Sequence, residues 1–276
     1  MAEAPVQEGL AGIKHIIAVA SGKGGVGKST TSVNLALALA QQGNKVGIVD
    51  ADIYGPSLQM MLGVAEGTRP EILEQKFFVP VEALGVKSMT MGYLVTEQTP
   101  VVWRGPMATG ALMQLLNQTL WGELDYLVVD MPPGTGDIQL TLAQQAKLSG
   151  AVIVTTPQDI ALLDARKAIE MFHKVNIPVL GVVENMAVHS CSQCGHQEHI
   201  FGEGGGQKVA SEYKTEVLGA LPLSLDIRQQ ADAGKPSVIS SPEGDAAMAY
   251  GQIATKVAAL LAGQTSPAGP EIIVES

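Results

Sequence analysis

The residues best suited to bind a metal lie between positions 185 and 206. This segment contains both cysteines of the chain, Cys191 and Cys194, and three of its five histidines. The C-x-x-C spacing is typical of metal ligands, but two thiolates rarely complete a site. Structural zinc takes four ligands, and an ordinary iron–sulfur cluster takes four cysteines. Further ligands must therefore come either from nearby histidines or from a second chain.

Three interpretations of this loop compete. A self-contained Cys₂His₂ site would take Cys191, Cys194, His196 and His199 from only nine residues, a tighter wrap than zinc sites usually show. A redox pair would need a helix to begin at the cysteines, but the following GHQEHIFGEGGG has no helical pattern. A half-site would meet its copy at a twofold axis and supply four thiolates, which suit a [4Fe–4S] cluster or one Zn²⁺. We favour the shared half-site, because it explains why two cysteines per chain are enough.

A phosphate-binding loop is predicted near the amino terminus. Gly22 to Ser29 match the pattern G-x-x-x-x-G-K-[ST] between a predicted strand and a predicted helix. Glycines let backbone N–H groups approach phosphate oxygens, and the helix amino terminus adds positive potential. Lys28 would reach the β- and γ-phosphates of ATP or ADP, and the Ser29 hydroxyl would join the shell of Mg²⁺. The predicted nucleotide-binding residues are Gly22, Lys23, Gly24, Gly25, Val26, Gly27, Lys28, Ser29 and Thr30.

Two aspartates that follow predicted strands are candidates for the hydrolytic chemistry. Asp130 ends the apolar run YLVVD, where a carboxylate can hold Mg²⁺ through water. Its alternative role is to cap a turn. Asp52 follows a strand that ends at Asp50, so it lies at the carboxyl edge of the sheet and would orient the attacking water. The alternative for Asp52 is a turn residue before Pro56.

Apolar runs and helical stretches predict the elements that position these residues. Buried strands are predicted at 15–21, 45–50, 125–130, 151–156, 177–185 and 216–223, and a β-hairpin at 76–92. Helices are predicted at 29–43, 106–121, 137–150, 159–175 and 244–263. This alternation indicates an α/β fold with a doubly wound, mostly parallel sheet and helices on both faces. We expect one domain at 15–263, an N-terminal extension at 1–14 and a flexible tail at 264–276.

The composition limits the classes of partner. The chain has 276 residues, 46% of them hydrophobic, a formal net charge of −10 and a pI near 4.9. An acidic chain of this kind has no basic stripe for nucleic acid or an anionic membrane, and no run of about 18 apolar residues would span a bilayer. Two cysteines do not make a disulfide framework, and the first residues lack a signal-peptide pattern. We therefore expect a cytoplasmic protein that binds neither nucleic acid nor membrane.

Several motifs resemble those of one group of P-loop proteins. KGGVGKST, with its extra lysine Lys23, is similar to the deviant Walker A motif of dimeric ATPases that include the nitrogenase iron protein and the Min and Par proteins. Within this group the chain resembles the Mrp/ApbC-type iron–sulfur cluster carriers over most of residues 15–235. The motifs that carry the resemblance are SGKGGVGKST, DADIYGPS, VVWRGPM, DYLVVDMPPGTGD, VTTPQDIALLDARK, GVVENM, C-x-x-C-G, IFGEGGG and LPL.

The resemblance implies roles for individual residues. It implies a homodimer in which Lys23 reaches the nucleotide held by the partner subunit and Asp52 assists hydrolysis. It also implies that Asn185 and the segment after Pro222 hold the adenine. The two cysteines would ligate a cluster that two chains share.

The function that the resemblance implies is an ATPase of slow turnover that carries iron–sulfur clusters. The cluster would come from a cluster-assembly scaffold and pass to apo iron–sulfur proteins. The alternative is a spatial-organisation ATPase of the Min or Par kind, which needs a membrane-binding or DNA-binding surface. The terminal PAGPEIIVES contains no lysine or arginine, which argues against membrane binding. An electron donor like the nitrogenase iron protein is a third class, but the cluster cysteines of that protein lie far apart in sequence.

Overall fold

Strands and helices alternate along the chain. The computed structural model describes residues 9–94 and 105–263. The strands are β1 (Ile13–Ala20), β2 (Val46–Asp50), β3 (Ile72–Leu73), β4 (Phe77–Phe78), β5 (Val81–Ala83), β6 (Val86–Thr90), β7 (Leu124–Asp130), β8 (Gly150–Thr155), β9 (Val179–Ser190), β10 (Gln197–Glu198) and β11 (Val217–Pro222). The helices are α1 (Lys28–Gln41), α2 (Leu58–Met61), α3 (Gly105–Asn117), α4 (Asp137–Gln145), α5 (Asp159–Lys174), α6 (Gly205–Glu212), α7 (Leu225–Asp232), α8 (Ser237–Ser240) and α9 (Asp245–Gly263), with a 3₁₀ turn at Met91–Tyr93.

The central sheet is mostly parallel. Its strand order is β10-β9-β8-β1-β7-β2-β6-β5, and β11 also pairs with β9. The pairings among β9, β8, β1, β7, β2 and β6 are parallel, as is that of β11 with β9. Strands β5 and β10 run antiparallel to their neighbours at the two edges. The predicted mostly parallel sheet is therefore confirmed.

Two hydrophobic clusters bury the two faces of this sheet. Successive residues of β1 alternate between them: Ile16 and Ala18 pack with helices α3, α4 and α5, whereas Ile17 and Val19 pack with α1 and α9. Because both faces are covered, each inner strand is a nearly continuous apolar run. This packing confirms the doubly wound arrangement, and it makes the sheet a rigid base for the loops at its carboxyl edge.

Some elements differ from the sequence prediction. The hairpin predicted at 76–92 divides: β4 pairs with β3 in a separate small sheet, whereas β5 and β6 form a hairpin and β6 joins β2 in the central sheet. Helices α3 and α4 end at Asn117 and Gln145, before their predicted ends. Helices α2, α6, α7 and α8 were not predicted, because each is shorter than the length over which helical periodicity is visible.

The predicted domain boundaries fall at the margins of the described chain. Strand β1 begins at Ile13, two residues before the predicted start, and α9 ends at Gly263. Residues 1–8, 95–104 and 264–276 lie outside the described ranges, and with them the tail, most of the N-terminal extension and most of the VVWRGPM motif. Among the described helices, none combines the length and the hydropathy needed to cross a bilayer.

Candidate functional site

The phosphate loop joins β1 to α1 at the carboxyl edge of the sheet. Gly25 and Gly27 have φ angles of +81° and +86°, in the left-handed region that glycine adopts without strain. A Cβ atom on Gly22 would lie 2.0 Å from the carbonyl oxygen of Asp164 on α5, so only glycine lets the loop pass this helix. Gly24 and Gly25 are exposed, whereas Val26 is buried. The loop is therefore anchored at its ends and open to solvent in the middle.

Lys28 and Asp130 form a buried ion pair beneath the loop. The Nζ atom of Lys28 lies 2.7 Å from Oδ1 of Asp130 and 3.2 Å from Oγ of Ser29. The two charged residues are 6% and 2% exposed, so water screens their attraction little. Ser32, one turn further along α1, donates its hydroxyl to the same Asp130 oxygen at 2.7 Å. The structure thus brings together the predicted Lys28, Ser29 and Asp130. Ser32 was missed, although its position four residues after Lys28 places it on the same helix face.

The oxygen atoms around the Lys28 ammonium fit a magnesium ion. Magnesium prefers carboxylate, hydroxyl and phosphate oxygens and retains several waters. The hydroxyl of Ser29 and the carboxylate of Asp130 are both within 3.2 Å of Lys28 Nζ, at the base of the open loop. These two side chains are the ones that would hold the ion next to bound phosphates.

Asp50 is a buried carboxylate to which the sequence interpretation gave no role. It is 1% exposed, and it lies opposite Asp130 in the pairing of β2 with β7. Its Oδ1 accepts from the N–H of Asp52 at 3.0 Å, and its Oδ2 accepts from the N–H groups of Ser57 and Leu58 at 2.9 and 3.1 Å. Burial, and then the charge of Asp130, raises the pKa of Asp50 to about 7. Asp50 therefore fastens the loop at 51–58 to the end of β2.

Asp52 lies in the turn that Asp50 fastens. Its Oδ1 accepts from the N–H of Gly55 at 3.3 Å, and the side chain is partly exposed. This contact agrees with the turn residue that the sequence left as the alternative. The role of Asp52 in orienting water stays a prediction.

Two further loop residues, Lys23 and Thr30, have different surroundings. Lys23 is half-buried, and its carbonyl oxygen accepts from the Ser21 hydroxyl at 2.8 Å. Within residues 9–94 and 105–263 the Lys23 ammonium forms no ion pair. Thr30 is half-buried on α1, and its carbonyl accepts from the Asn34 side chain at 2.9 Å. The reach of Lys23 into a partner subunit stays a prediction.

The predicted adenine-binding residues lie within β9 and at the end of β11. Asn185 is 9% exposed, and its Nδ2 donates to the carbonyl oxygen of Val26 at 2.8 Å. Pro222 ends β11, and the N–H of the next residue, Leu223, bonds to the carbonyl of Val188 at 2.8 Å. Asn185 is therefore in direct contact with the phosphate loop. Contact of either residue with adenine stays a prediction.

The two cysteines lie on a turn between β9 and β10, which we call the cysteine turn (191–196). The N–H of Cys191 bonds to the carbonyl of His196 at 2.9 Å, and the N–H of Gly195 bonds to the carbonyl of Cys191 at 2.8 Å. Both thiols are free; Cys191 is partly exposed and Cys194 is exposed. Backbone N–H groups of Gln193 and Cys194 lower the pKa of Cys191, which favours the thiolate that binds metals.

The self-contained Cys₂His₂ arrangement is not formed. In the described part of the chain, no group of three or more His, Cys, Asp or Glu side chains is placed to hold a metal ion. The ring Nδ1 atoms of His199 and His189 lie 2.8 and 3.2 Å from the carbonyl oxygens of Ala187 and Leu223. No helix begins at the cysteines either, since the next one, α6, begins at Gly205. The two thiols are accessible, and the described part of one chain does not supply the further ligands that a metal site needs.

Comparison with known proteins identifies the family. The sequence model of the family described as "ParA: NUBPL iron-transfer P-loop NTPase" matches residues 12–258. This chain belongs to that family. The "Iron-sulfur cluster carrier protein" of Pseudomonas fragi is 67% identical over 246 residues, which cover 89% of this chain and 86% of that protein. The "Iron-sulfur cluster transfer protein NUBPL" of Mus musculus is 52% identical over 255 residues, 92% of this chain and 79% of that protein.

Two solved structures share the fold of this chain. A nucleotide-binding protein from Archaeoglobus fulgidus, solved in complex with ADP, is 41% identical with a TM-score of 0.74, covering 86% of this chain and 91% of that one. The cell-division ATPase MinD from Pyrococcus furiosus is 23% identical with a TM-score of 0.66, covering 90% and 99%. The second likeness shows the fold alone, whereas the family membership confirms the resemblance drawn from the sequence motifs.

Proposed function

We propose that this iron-transfer P-loop NTPase hydrolyses ATP and carries an iron–sulfur cluster, which it binds between two copies of itself. The observation that carries the proposal is the cysteine turn, which has two free thiols at ligand spacing. In the described part of the chain, no third His, Cys, Asp or Glu is placed to hold a metal ion with them. An iron–sulfur cluster needs four thiolates, which two chains supply and one cannot. The names of the relatives from Pseudomonas fragi and Mus musculus support a cluster as the cargo.

The phosphate site supports hydrolysis by positioning and charge. Phosphoryl transfer to water needs little covalent participation from the protein, so catalysis consists of alignment and stabilisation of the phosphate charge. The loop N–H groups and the Lys28 ammonium would hold the β- and γ-phosphates, and Asp52 would orient the attacking water. Mg²⁺, held by Ser29 and by Asp130 through water, would neutralise phosphate charge. We expect slow turnover, since Lys23 completes the site only when two chains meet.

The iron–sulfur cluster would be held at the dimer interface before it is transferred. Two cysteine turns related by a twofold axis supply Cys₄, which suits a [4Fe–4S] cluster. A cluster-assembly scaffold would load it, and apo iron–sulfur proteins would receive it. A spatial-organisation role of the Min or Par kind has only the shared fold in its favour, and fold alone does not carry function.

The test is anaerobic reconstitution of the wild-type chain, Cys191→Ser and Cys194→Ser, with iron, sulfide, zinc and molecular mass measured together. We expect a wild-type dimer with about four irons and four sulfides per pair of chains. Either variant leaves two thiolates per dimer where four are needed, so cluster content should collapse and not merely halve. Binding of ADP should survive, because the cysteine turn lies outside the phosphate loop.

The matched controls are His196→Ala and His199→Ala, which change the neighbouring imidazoles and leave both thiols. Both should retain the cluster. One tightly bound zinc per chain that either histidine variant loses would overturn the shared site and restore a Cys₂His₂ loop.

A further inference from the structure

One side chain joins the phosphate loop to the strand that leads to the cysteines. Asn185 lies on β9, 159 positions from its partner Val26, whose carbonyl oxygen accepts its Nδ2 proton at 2.8 Å. A Cβ atom on Gly27 would lie 2.1 Å from the same Nδ2, so the amide also packs against the last residue before α1. The bond is buried, since Asn185 and Val26 are 9% and 2% exposed. Movement of the phosphate loop at this point must therefore move Asn185 or break the bond.

Strand β9 continues from Asn185 to the cysteine turn without an intervening loop. It ends at Ser190, and Cys191 follows directly. Six positions separate Asn185 from Cys191, a span of at most about 20 Å at 3.3 Å per residue. The far part of β9 is joined to the turn by further contacts, because β10 pairs with Ser190 and His189 and the His199 ring bonds to Ala187.

An irregularity in β9 lies between these two ends. Glu184 pairs with Ala220 but Val188 pairs with Pro222, so four positions on β9 are matched by two on β11. Met186, inside this stretch, has a φ of +57°, a left-handed conformation that costs a non-glycine residue about 1–2 kcal/mol. The strand thus holds a strained residue directly after the side chain that contacts the phosphate loop. Such a bulge is a point at which a strand can change its alignment.

We propose that Asn185 is a positioning residue that couples nucleotide binding at the phosphate loop to the cysteine turn of the same chain, through the bulge in β9. The inference concerns regulation of the proposed cargo site and so rests on the proposed function. Phosphates that draw the N–H groups of the loop toward them would shift the Val26 carbonyl, and the shift passes to β9 through Asn185. By linkage, if bound nucleotide changes the affinity of the thiols for a ligand by some factor, that ligand changes the affinity for nucleotide by the same factor.

The test follows the reactivity of the thiols in the reduced, cluster-free full chain. Cys191 and Cys194 are the only cysteines in the sequence, so alkylation by iodoacetamide reports on this turn alone. In the wild-type chain we expect saturating ADP with Mg²⁺ to change the alkylation rate at least about fivefold, a typical coupling between sites. Asn185→Asp, which keeps the shape but has no N–H to donate, should bind ADP more weakly and should lose this response even at ADP concentrations that calorimetry shows to saturate the variant.

The control is Glu184→Gln. This neighbour on β9 is also buried, but its carboxylate accepts from the N–H of Gly206 on α6 and not from the phosphate loop. It should keep the full response to ADP. A second variant, Met186→Gly, leaves Asn185 intact and removes the strain in the bulge; we expect a clearly weaker response with unchanged ADP affinity. If Asn185→Asp fails to fold or to bind ADP, the response of Met186→Gly tests the proposal instead.

Three results would overturn the proposal. The first is an alkylation rate that ADP leaves unchanged in the wild-type chain, and the second is a full response in both Asn185→Asp and Met186→Gly. The third is a response that depends on dimer formation. Alkylation rates and molecular mass are therefore measured together at two protein concentrations. If the effect of ADP on the alkylation rate changes only with the fraction of dimer, the effect belongs to the interface between chains. Coupling within one chain would then be overturned. The assay needs no cluster, so a failure of the cargo proposal appears separately, as absent iron in the reconstituted wild-type dimer.

Discussion

Asp50 and Asp130 are two carboxylates at the ends of adjacent strands, and their surroundings differ. Asp130 has the Lys28 ammonium at 2.7 Å, whereas Asp50 accepts three backbone N–H bonds. A buried carboxylate without a cation is costly in its charged form, and like charge nearby adds to that cost. The charged and ionisable groups that act on Asp50 are Asp130, Lys28 and Tyr93. Asp50 therefore takes up a proton more readily than a carboxyl group in water does.

The raised pKa of Asp50 predicts how stability changes with pH. Between its ordinary value of 3.8 and about 7, the folded state keeps a proton that the unfolded state has lost. The free energy of unfolding should therefore fall as pH rises through this window, by at most about 1.4 kcal/mol per pH unit, and stay low above it. Asp50→Asn should flatten this slope, as measured by urea denaturation from pH 5 to 8 without nucleotide or Mg²⁺.

A surface carboxylate gives the control for this slope. The Lys14 ammonium donates to Asp125 and lowers the pKa of Asp125, so Asp125 changes stability with pH only below the window of Asp50. Any stability that Asp125→Asn removes is therefore constant from pH 5 to 8. The slope of this variant from pH 5 to 8 should match that of the wild-type chain. Identical slopes for Asp50→Asn and the wild-type chain would contradict the raised pKa.

At the scale of elements, alanine substitutions at two glycines distinguish the cost of a left-handed backbone from the cost of a displaced side chain. Gly27 and Gly43 flank α1 with φ angles of +86° and +88°. Gly43→Ala meets nothing within 4 Å, so it should cost only the left-handed conformation, about 1–2 kcal/mol. Gly27→Ala should cost about 1 kcal/mol more, because the new methyl displaces Asn185 from Val26. It should also weaken ADP binding, whereas Gly43→Ala should not.

Urea denaturation and calorimetry with ADP measure the two effects. Equal losses of stability in both glycine variants, with ADP affinity intact in both, would mean that the Asn185 contact contributes nothing to the loop.

The elements that the sequence predicts best are those that form because of the residue pattern within their own segment. The apolar runs that became β1, β2, β7 and β8 are buried on both faces, and that burial leaves a continuous signal in the sequence. The glycine run before α6 gives no such signal. That helix begins where Glu184, on a distant strand, accepts the N–H of Gly206. A tertiary contact of this kind has no periodicity from which to predict it.

The candidate site divides in the same way. Lys28 and Ser29 are predictable, because a strand, a loop and a helix follow one another in the sequence. Asp130 is predictable because it ends a parallel strand at the same edge of the sheet. The donors that fasten Asp50 come from a turn whose path the sequence does not fix, and the contact of Asn185 joins residues 159 positions apart. The resemblance to cluster carriers pointed to Asn185 as a nucleotide-site residue, but it did not indicate that the side chain bonds to the loop itself.

At the scale of the whole molecule, the proposed dimer predicts complementation between two inactive variants. Lys28→Ala removes the charge that meets the phosphates in its own chain, and Lys23→Ala removes the charge offered to the partner. Mixing the two in equal amounts should restore about a quarter of wild-type ATP turnover, since half of the dimers are mixed and each has one complete site of two. Phosphate release, with subunit exchange followed by mass, is the measurement.

Lys14→Ala provides the control, because Lys14 pairs with Asp125 at the opposite edge of the sheet. It should not alter turnover. Complete exchange of subunits without recovery would assign Lys23 a role within its own chain.

Two main-chain bonds close the cysteine turn, from Cys191 to His196 and from Gly195 to Cys191. Neither bond involves a sulfur atom, so neither depends on what the thiols hold. Many small metal sites collapse when they are emptied, because the metal supplies the folding energy. On the proposed function, the cysteine turn would therefore keep its fold each time the protein releases a cluster. The same molecule can then serve many rounds of delivery without refolding between them.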